Sequence, residues 1–240
     1  MRILGLIPAR GGSKGIPRKN IFPVAGKPLL AWTCEAALAS KSLSRVVLST
    51  DDEEIAEVGR AWGVEVPFLR PAELATDTAT SVDVALHALD WLEEHEGWHA
   101  EVIVLLQPTS PLRTATHIDE AVAVFNVAAA DTVVSVVPVR HNLSPFTLMR
   151  LENGRLYDFW DQPLPFDRYR RQETPPLFAR NGPALLVTRA QTLRCRKSFY
   201  GDFVAAYVMT EEESLDIDTP ADLALAEWRL ARRRGASCAG

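Results

Sequence analysis

Cysteine, long apolar runs and excess basic charge are all scarce in this chain, and each scarcity closes off a class of protein. The three cysteines, Cys34, Cys195 and Cys238, are odd in number and lack metal-ligand spacing. That excludes a disulfide scaffold and a zinc module, and it fits reduced thiols in a cytoplasm. With 31 acidic against 26 basic residues the net charge is −5, so no nucleic-acid partner is expected and any basic cluster is a local feature. No apolar run approaches a bilayer span, and the N-terminus enters a strand directly instead of a signal peptide, so no membrane association is expected. The five histidines lack convergent partners. No repeat, low-complexity tract or Ser-His-Asp order is present. At 240 residues, 47% hydrophobic and 24% charged, the chain has the size and balance of one domain with a small appendage.

What is present is concentrated at the start. Residues 3–7 form a short apolar run that reads as a buried strand ended by Pro8. A loop follows with Gly11, Gly12 and Gly15 among Arg10, Lys14, Arg18 and Lys19. Glycine lets backbone approach a ligand closely and turn N–H groups toward it. Cations this dense repel one another, so the loop suits a polyphosphate. It is not a Walker A loop, because Lys14 is followed by Gly15, Ile16 and Pro17 instead of a Ser/Thr that opens a helix. Nor does it carry the spaced glycines of a dinucleotide fold. A solvated basic loop is the competing reading. Against it stands Lys19-Asn20, a cation and a carboxamide held before a second Pro/Gly-pinned turn at 21–28.

Further along, strand and helix patterns alternate. Residues 28–39 and 53–61 read as helices, the second capped by Asp51 or Asp52, and 46–50 as a buried strand. Residues 64–70 read as a short edge strand. A helix over 82–95 starts at Thr80 or Ser81. The apolar run 101–106 predicts a central strand that emits the rigid loop from Gln107 to Arg113. A helix from Thr114 or Thr116 and a strand over 132–137 follow. This rhythm predicts an α/β fold, a Rossmann-like, mostly parallel sheet with helices on both faces, over residues 1–137 and 182–240. The intervening 138–181 is rich in proline, aromatics and arginine with little helical period, and reads as an inserted arm that reaches a partner subunit. Strands at 184–187 and 203–209 resume the sheet. In Ser214-Leu-Asp-Ile-Asp-Thr-Pro-Ala-Asp222, alternation puts Asp216 and Asp218 on one face and Ile217 toward the core. Two carboxylates so placed can share Mg²⁺ or Mn²⁺. Thr219-Pro220 with Asp222 carries the chemistry of a helix start.

The segment Ala9-Arg-Gly-Gly-Ser-Lys-Gly-Ile-Pro-Arg-Lys-Asn20 resembles the nucleotide-binding signature of the acylneuraminate cytidylyltransferases. The likeness continues through Ser49-Thr-Asp51, Leu69-Arg-Pro-Ala-Glu-Leu-Ala75, Leu106-Gln-Pro-Thr-Ser-Pro-Leu-Arg113 and Asp216-Ile-Asp218, and so spans nearly the whole chain. The resemblance implies transfer of CMP from CTP to the anomeric hydroxyl of a nonulosonic 2-keto sugar acid, with release of pyrophosphate. It implies phosphate binding by Arg10, Lys14 and Lys19, and contacts of Asn20, Arg70 and Ser81 with the cytidine. Gln107 and Asn181 would hold the acid, and a homodimer through 138–181 would deliver Arg171 to the neighbouring site. Arg10, Lys19 and Asp216 are the expected catalytic groups, and Asp216 and Asp218 the metal ligands. Two places depart from the family pattern. His141-Asn-Leu-Ser-Pro-Phe146 lacks a lysine, and in Phe178-Ala-Arg-Asn-Gly182 the arginine is displaced by one place. Legionaminate- or pseudaminate-like acids therefore stand beside N-acetylneuraminate as acceptors. Two other readings remain open: a nucleotidyltransferase using another NTP and a sugar phosphate, or a non-catalytic nucleotide-sugar-binding protein.

Overall fold

Alternate residues of a strand point to opposite sides of its sheet, so an uninterrupted apolar run buries two rows of side chains, one per face. The computed structural model of the chain describes residues 1–13, 15–145, 147–159, 175–182 and 184–237. Its first half runs β1 (Ile3–Pro8), β2 (Pro23–Val24), β3 (Lys27–Pro28), α1 (Leu29–Leu38), β4 (Arg45–Ser49), α2 (Glu53–Ala61), α3 (Ser81–Glu96) and β5 (Val102–Leu105). Next come α4 (Ala115–Ala128), β6 (Thr132–Pro138), β7 (Met149–Glu152), β8 (Arg155–Asp158) and β9 (Phe178–Arg180). The chain closes with β10 (Leu186–Arg189), α5 (Ala190–Arg196), β11 (Val204–Val208) and α6 (Pro220–Ser237).

The main sheet has the order β11-β6-β10-β5-β1-β4, with β9 also paired to β6. β1 lies parallel to both β4 and β5, with Leu6 opposite Val47 and Leu4 opposite Ile103. β10 runs antiparallel between β5 and β6, and β11 returns parallel to β6. The sheet is therefore mostly parallel, as the alternation of strands and helices predicts. The two rows of side chains feed two cores. Ile3, Ile7, Leu48, Val104 and Val187 pack with Leu30 and Cys34 of α1, Ile55 of α2 and Phe125 of α4. Leu4, Leu6, Val47, Ile103 and Leu186 pack on the other side with Ala85, Leu89 and Leu92 of α3 and Leu193 of α5.

A third, smaller core decides where the chemistry lies. Ile16, Val24, Leu29, Leu112 and Ile217 pack beneath Leu223, Ala226 and Leu230 of α6. Ile16 belongs to the glycine-rich loop and Ile217 sits between the two aspartates. Burial of these two isoleucines under one helix brings segments 201 positions apart in sequence side by side.

The expected edge strand over 64–70 is reduced to a single bridge. Glu65 donates its N–H to the Val46 carbonyl and accepts from Leu48, at 3.1 and 2.8 Å. Pro67 lacks the N–H that would continue the ladder. In the inserted segment, β7 and β8 form a hairpin turned by Asn153 and Gly154, both at positive φ, the backbone a two-residue hairpin turn requires. β9 joins the main sheet through Val136 opposite Arg180, so the sheet reaches into that segment. Phe146 and residues 160–174 of the arm, Arg171 among them, lie outside the described residues, as does Lys14. Among the described residues no helix is long and apolar enough to cross a membrane.

Candidate active site

The carboxyl ends of β1 and β5 open onto one cleft of about 430 Å³, the end at which open α/β sheets bind ligands. Arg10, Ser13, Gly15, Lys19 and Asn20 line one side. Arg70, Thr76, Ala79, Ser81 and Val84 line another, and Gln107, Thr109 and Asp218 complete it.

Of the cations in the first loop, the structure brings Arg10 and Lys19 to the cleft. Arg10 crosses to the far rim, reaching the Thr76 carbonyl at 3.2 Å and the Asp77 carboxylate at 3.0 Å. Lys19 Nζ donates to the Ile217 carbonyl at 2.7 Å and lies 3.3 Å from the Asp218 carboxylate. Arg18 turns away, with a left-handed backbone at φ 54 and its guanidinium on Asp52 and Glu54. Asn20 is buried and donates to the Arg10 carbonyl at 2.9 Å, which pins the loop across its base. Gly15 approaches the acidic segment so closely that a Cβ would stand 2.7 Å from the Asp218 carbonyl.

Of the two candidate caps for α2, Asp52 takes the role by accepting from Ile55 N. Asp51 is thereby left to accept from Gly11 N at 3.1 Å and to face Arg70 at 3.5 Å. Arg70 is buried, its Nε has no hydrogen-bond partner, and burial lowers its pKa against the pull of Asp51. Arg70 lines the cleft, and its buried guanidinium N–H without an acceptor is an exception among buried polar groups. Thr80 caps α3 in a reciprocal box with Asp83. Ser81 is thus the first helical residue and presents itself, exposed, to the cleft.

The carboxylates occupy different environments. Asp218 is exposed and lines the cleft. Thr219 caps α6 with Asp222, so the Asp218 side chain is not spent on capping. Asp216 is half-buried, and one carboxylate oxygen, Oδ1, has no partner. Burial raises its pKa, the charge of Asp218 adds to the rise, and a hydrogen bond from Thr109 opposes it. A Cβ on Gly182, whose φ is +114, would come within 3.1 Å of the Asp216 carboxylate and 3.5 Å of Ser110 Oγ. Only glycine suits that position. Asp218 lines the cleft and Asp216 does not, its unpartnered oxygen being buried; as hard oxygen donors the two carboxylates have the chemistry that suits a divalent cation. Among the described residues no group of three or more His, Cys, Asp or Glu could hold a metal unaided.

Asn181 does not line the cleft. Its buried carboxamide accepts from Ser135 Oγ at 2.6 Å and Ala184 N at 3.3 Å, and donates to Ser214 Oγ at 2.9 Å. The displaced Arg180 donates to the Tyr200 hydroxyl at 3.0 Å. Sequence reasoning assigned no role to Arg113. This residue is 2% exposed and donates to the carbonyls of Gln107 and Ala184, at 3.1 and 2.6 Å, and to Thr33 Oγ1 at 2.7 Å. Burial pulls its pKa down to about 9. Its place at the end of the Gln107 loop was the available signal, but nothing in the spacing shows that it points inward.

A cytidylyltransferase family model matches residues 4–228. The chain is 38% identical over 226 residues to an N-acylneuraminate cytidylyltransferase of Escherichia coli, covering 94% of this chain and 51% of that protein. It is 38% identical over 232 residues to a CMP-N,N'-diacetyllegionaminic acid synthase of Legionella pneumophila, covering 95% of each. The chain thus spans about half the length of some relatives it matches and nearly all of the Legionella protein. Among solved structures, CMP:2-keto-3-deoxy-manno-octonic acid synthetase complexed with CTP superposes with a TM-score of 0.71 at 17% identity, covering 97% of this chain and 100% of that one. At that identity the likeness concerns the fold alone.

Proposed function

This chain belongs to the cytidylyltransferase family, and on that premise we propose that it transfers CMP from CTP to the anomeric hydroxyl of a nonulosonic, sialic-acid-like 2-keto sugar acid. The observation that carries the reading is the meeting of Lys19 with Ile217 and Asp218 at one cleft. A triphosphate placed there meets Arg10 and Lys19 with the Asp218 carboxylate beside them.

Arg10 and Lys19, with Lys14 of the same loop, bind the phosphates. Asn20 holds the loop that carries them, and Arg70 and Ser81 face the cytidine. Gln107 binds the acid, and Asn181 acts indirectly by fixing the backbone around Gly182. The anomeric hydroxyl attacks the α-phosphorus in line, the bond to the β-phosphate oxygen breaks, and pyrophosphate leaves while the hydroxyl proton passes to solvent. Transfer is direct, with no covalent enzyme intermediate, and the site acts by position and charge, as phosphoryl-transfer sites do. Asp216 and Asp218 would hold Mg²⁺ or Mn²⁺, which supplies charge neutralisation at the phosphates.

The acceptor is a nonulosonate, and the Legionella relative matched over 95% of its length supports extending the set beyond N-acetylneuraminate to legionaminate-type acids. The arm over 138–181 serves as a homodimer contact that brings Arg171 to the neighbouring site. The apolar groove of Val137, Val139, Leu143, Leu177 and Phe178 at its root supports this, and light scattering on the purified protein tests it. Free Cys34 and Cys195 agree with a reducing cytoplasm. The activity itself is tested by pyrophosphate release from CTP, UTP and GTP with a panel of 2-keto sugar acids and sugar phosphates in the presence of Mg²⁺. Release with CTP and a nonulosonate is expected; release only with another NTP and a sugar phosphate, or none at all, overturns it.

A further inference from the structure

A guanidinium buried without a carboxylate is unusual, because the lost hydration of the charge is not returned by an opposite one. Among the described residues Arg113 pairs with none; its partners are two carbonyls and a hydroxyl. Those partners lie on three separate stretches: Gln107 at the exit of β5, Ala184 just past Gly182, and Thr33 inside α1.

Each stretch reaches the acceptor side of the cleft or supports it. Gln107 lines the cleft, and its carbonyl also accepts from Ser110 N at 3.3 Å, so the turn at 107–110 closes on itself. Thr109 in that turn accepts from Ile217 N at 2.9 Å and hydrogen-bonds Asp216. The Ala184 backbone is held at both ends, its N–H by Asn181 and its carbonyl by Arg113. Gly182, two residues earlier, faces Asp216 and Ser110. Thr33 ties the cluster to the core helix, one residue from buried Cys34. By contrast, Lys19, Arg70 and Ser81 on the nucleotide side have no bond to Arg113 among the described residues.

We infer that Arg113 is a positioning residue for the acceptor: its planar fork locks the Gln107 turn to the Gly182 turn and sets the gap into which the sugar acid fits. The inference rests on the cytidylyl-transfer reading above. Geometry alone makes the fork hard to replace. A lysine ammonium is a compact point donor on a flexible stem and does not span three acceptors spread around a plane.

The test measures pyrophosphate release by the wild type, Arg113→Lys and Thr33→Val, varying the acid at saturating CTP and then CTP at saturating acid, with CTP affinity read separately by calorimetry. Arg113→Lys is expected to raise the acid's KM by about tenfold and to leave CTP's KM and Kd within about twofold, since small misplacements of a binding group cost one to two orders of magnitude. Thr33→Val, nearly isosteric, should move the acid's KM in the same direction by less, and it decides the matter if the lysine variant fails to fold. An unchanged KM for the acid in a folded variant overturns the inference. So does an equal change in both KM values, or a fall in kcat alone that tracks lost folded protein. A wild type that binds CTP yet releases no pyrophosphate with any acid overturns the underlying reading instead, and this inference with it.

Discussion

At Lys19 one ammonium serves a backbone carbonyl and a carboxylate, and both lie on the segment that carries the acidic pair. Removing it unties that segment and deletes a charge at the proposed phosphate site. Loss of one preorganised donor at a site of developing charge costs roughly 3–4 kcal/mol, so Lys19→Ala and Asp216→Ala should each cut turnover by about two to three orders of magnitude. Steady-state pyrophosphate release checks this, and near-normal turnover of Asp216→Ala would refute its assignment to the reaction. His117 makes a different prediction. It is 8% exposed on α4, faces Glu213 at 3.2 Å, and has Glu120, Tyr207 and Arg233 nearby. Burial lowers its pKa and outweighs the attraction of Glu213. Below the ordinary histidine value of about 6.5 the unfolded chain therefore binds a proton that the native chain resists, and stability falls as pH drops through that window. Urea midpoints at pH 7.5 and 5.5 should differ less in His117→Gln than in the wild type.

Elements bear their own strains. α4 is followed by Ala129, its C-cap, which sits in the left-handed region at φ 50, where a Cβ crowds the following carbonyl at roughly 1–2 kcal/mol. Ala129→Gly removes that crowding at a helix end where glycine is the ordinary residue. It should stabilise the chain by about 1 kcal/mol, seen as a rise of about 2–4 °C in Tm. Helix starts were legible from spacing because Thr, Asp and Ser before an apolar stripe have few other uses. Yet the choice between adjacent candidates was not. Asp51 and Asp52 carry the same chemistry, and only the approach of Gly11 and Arg70 decides which one caps α2. The strand read over 64–70 failed for a local reason in plain view, Pro67, whose effect depends on which N–H the neighbouring β4 requires.

For the molecule as a whole, the cleft depends on long-range ties. Asn181 joins β6 through Ser135, the β10 approach through Ala184, and the acidic segment through Ser214. Asn181→Ala takes the acceptor from the buried Ala184 N–H, whereas Ser135 Oγ keeps its bonds to Leu185 and Ser214 Oγ its bond to the Thr210 carbonyl; one buried group left unpaired costs roughly 1–3 kcal/mol. Denaturant unfolding should show a loss of that order or greater, with turnover reduced in the remaining native fraction because Gly182 is no longer fixed against Asp216.

By itself the sequence determined the layered α/β plan, since apolar runs long enough to bury both faces leave a sheet little alternative to helices on each side. It also marked the glycine-rich cationic loop, and Asp216 and Asp218 around a core-facing Ile217, because those signals are local in composition and period. Only the tertiary structure decided that Ile16 and Ile217 share the small core under α6, that Arg18 turns away from the cleft while Arg10 and Lys19 enter it, that β10 runs antiparallel, and that Arg113 is a buried hub. The physical reason is the same in each case: a side chain's direction and a buried charge's partners are set by contacts between segments far apart in the chain, and a linear pattern carries the period of a segment but not the neighbour it will meet.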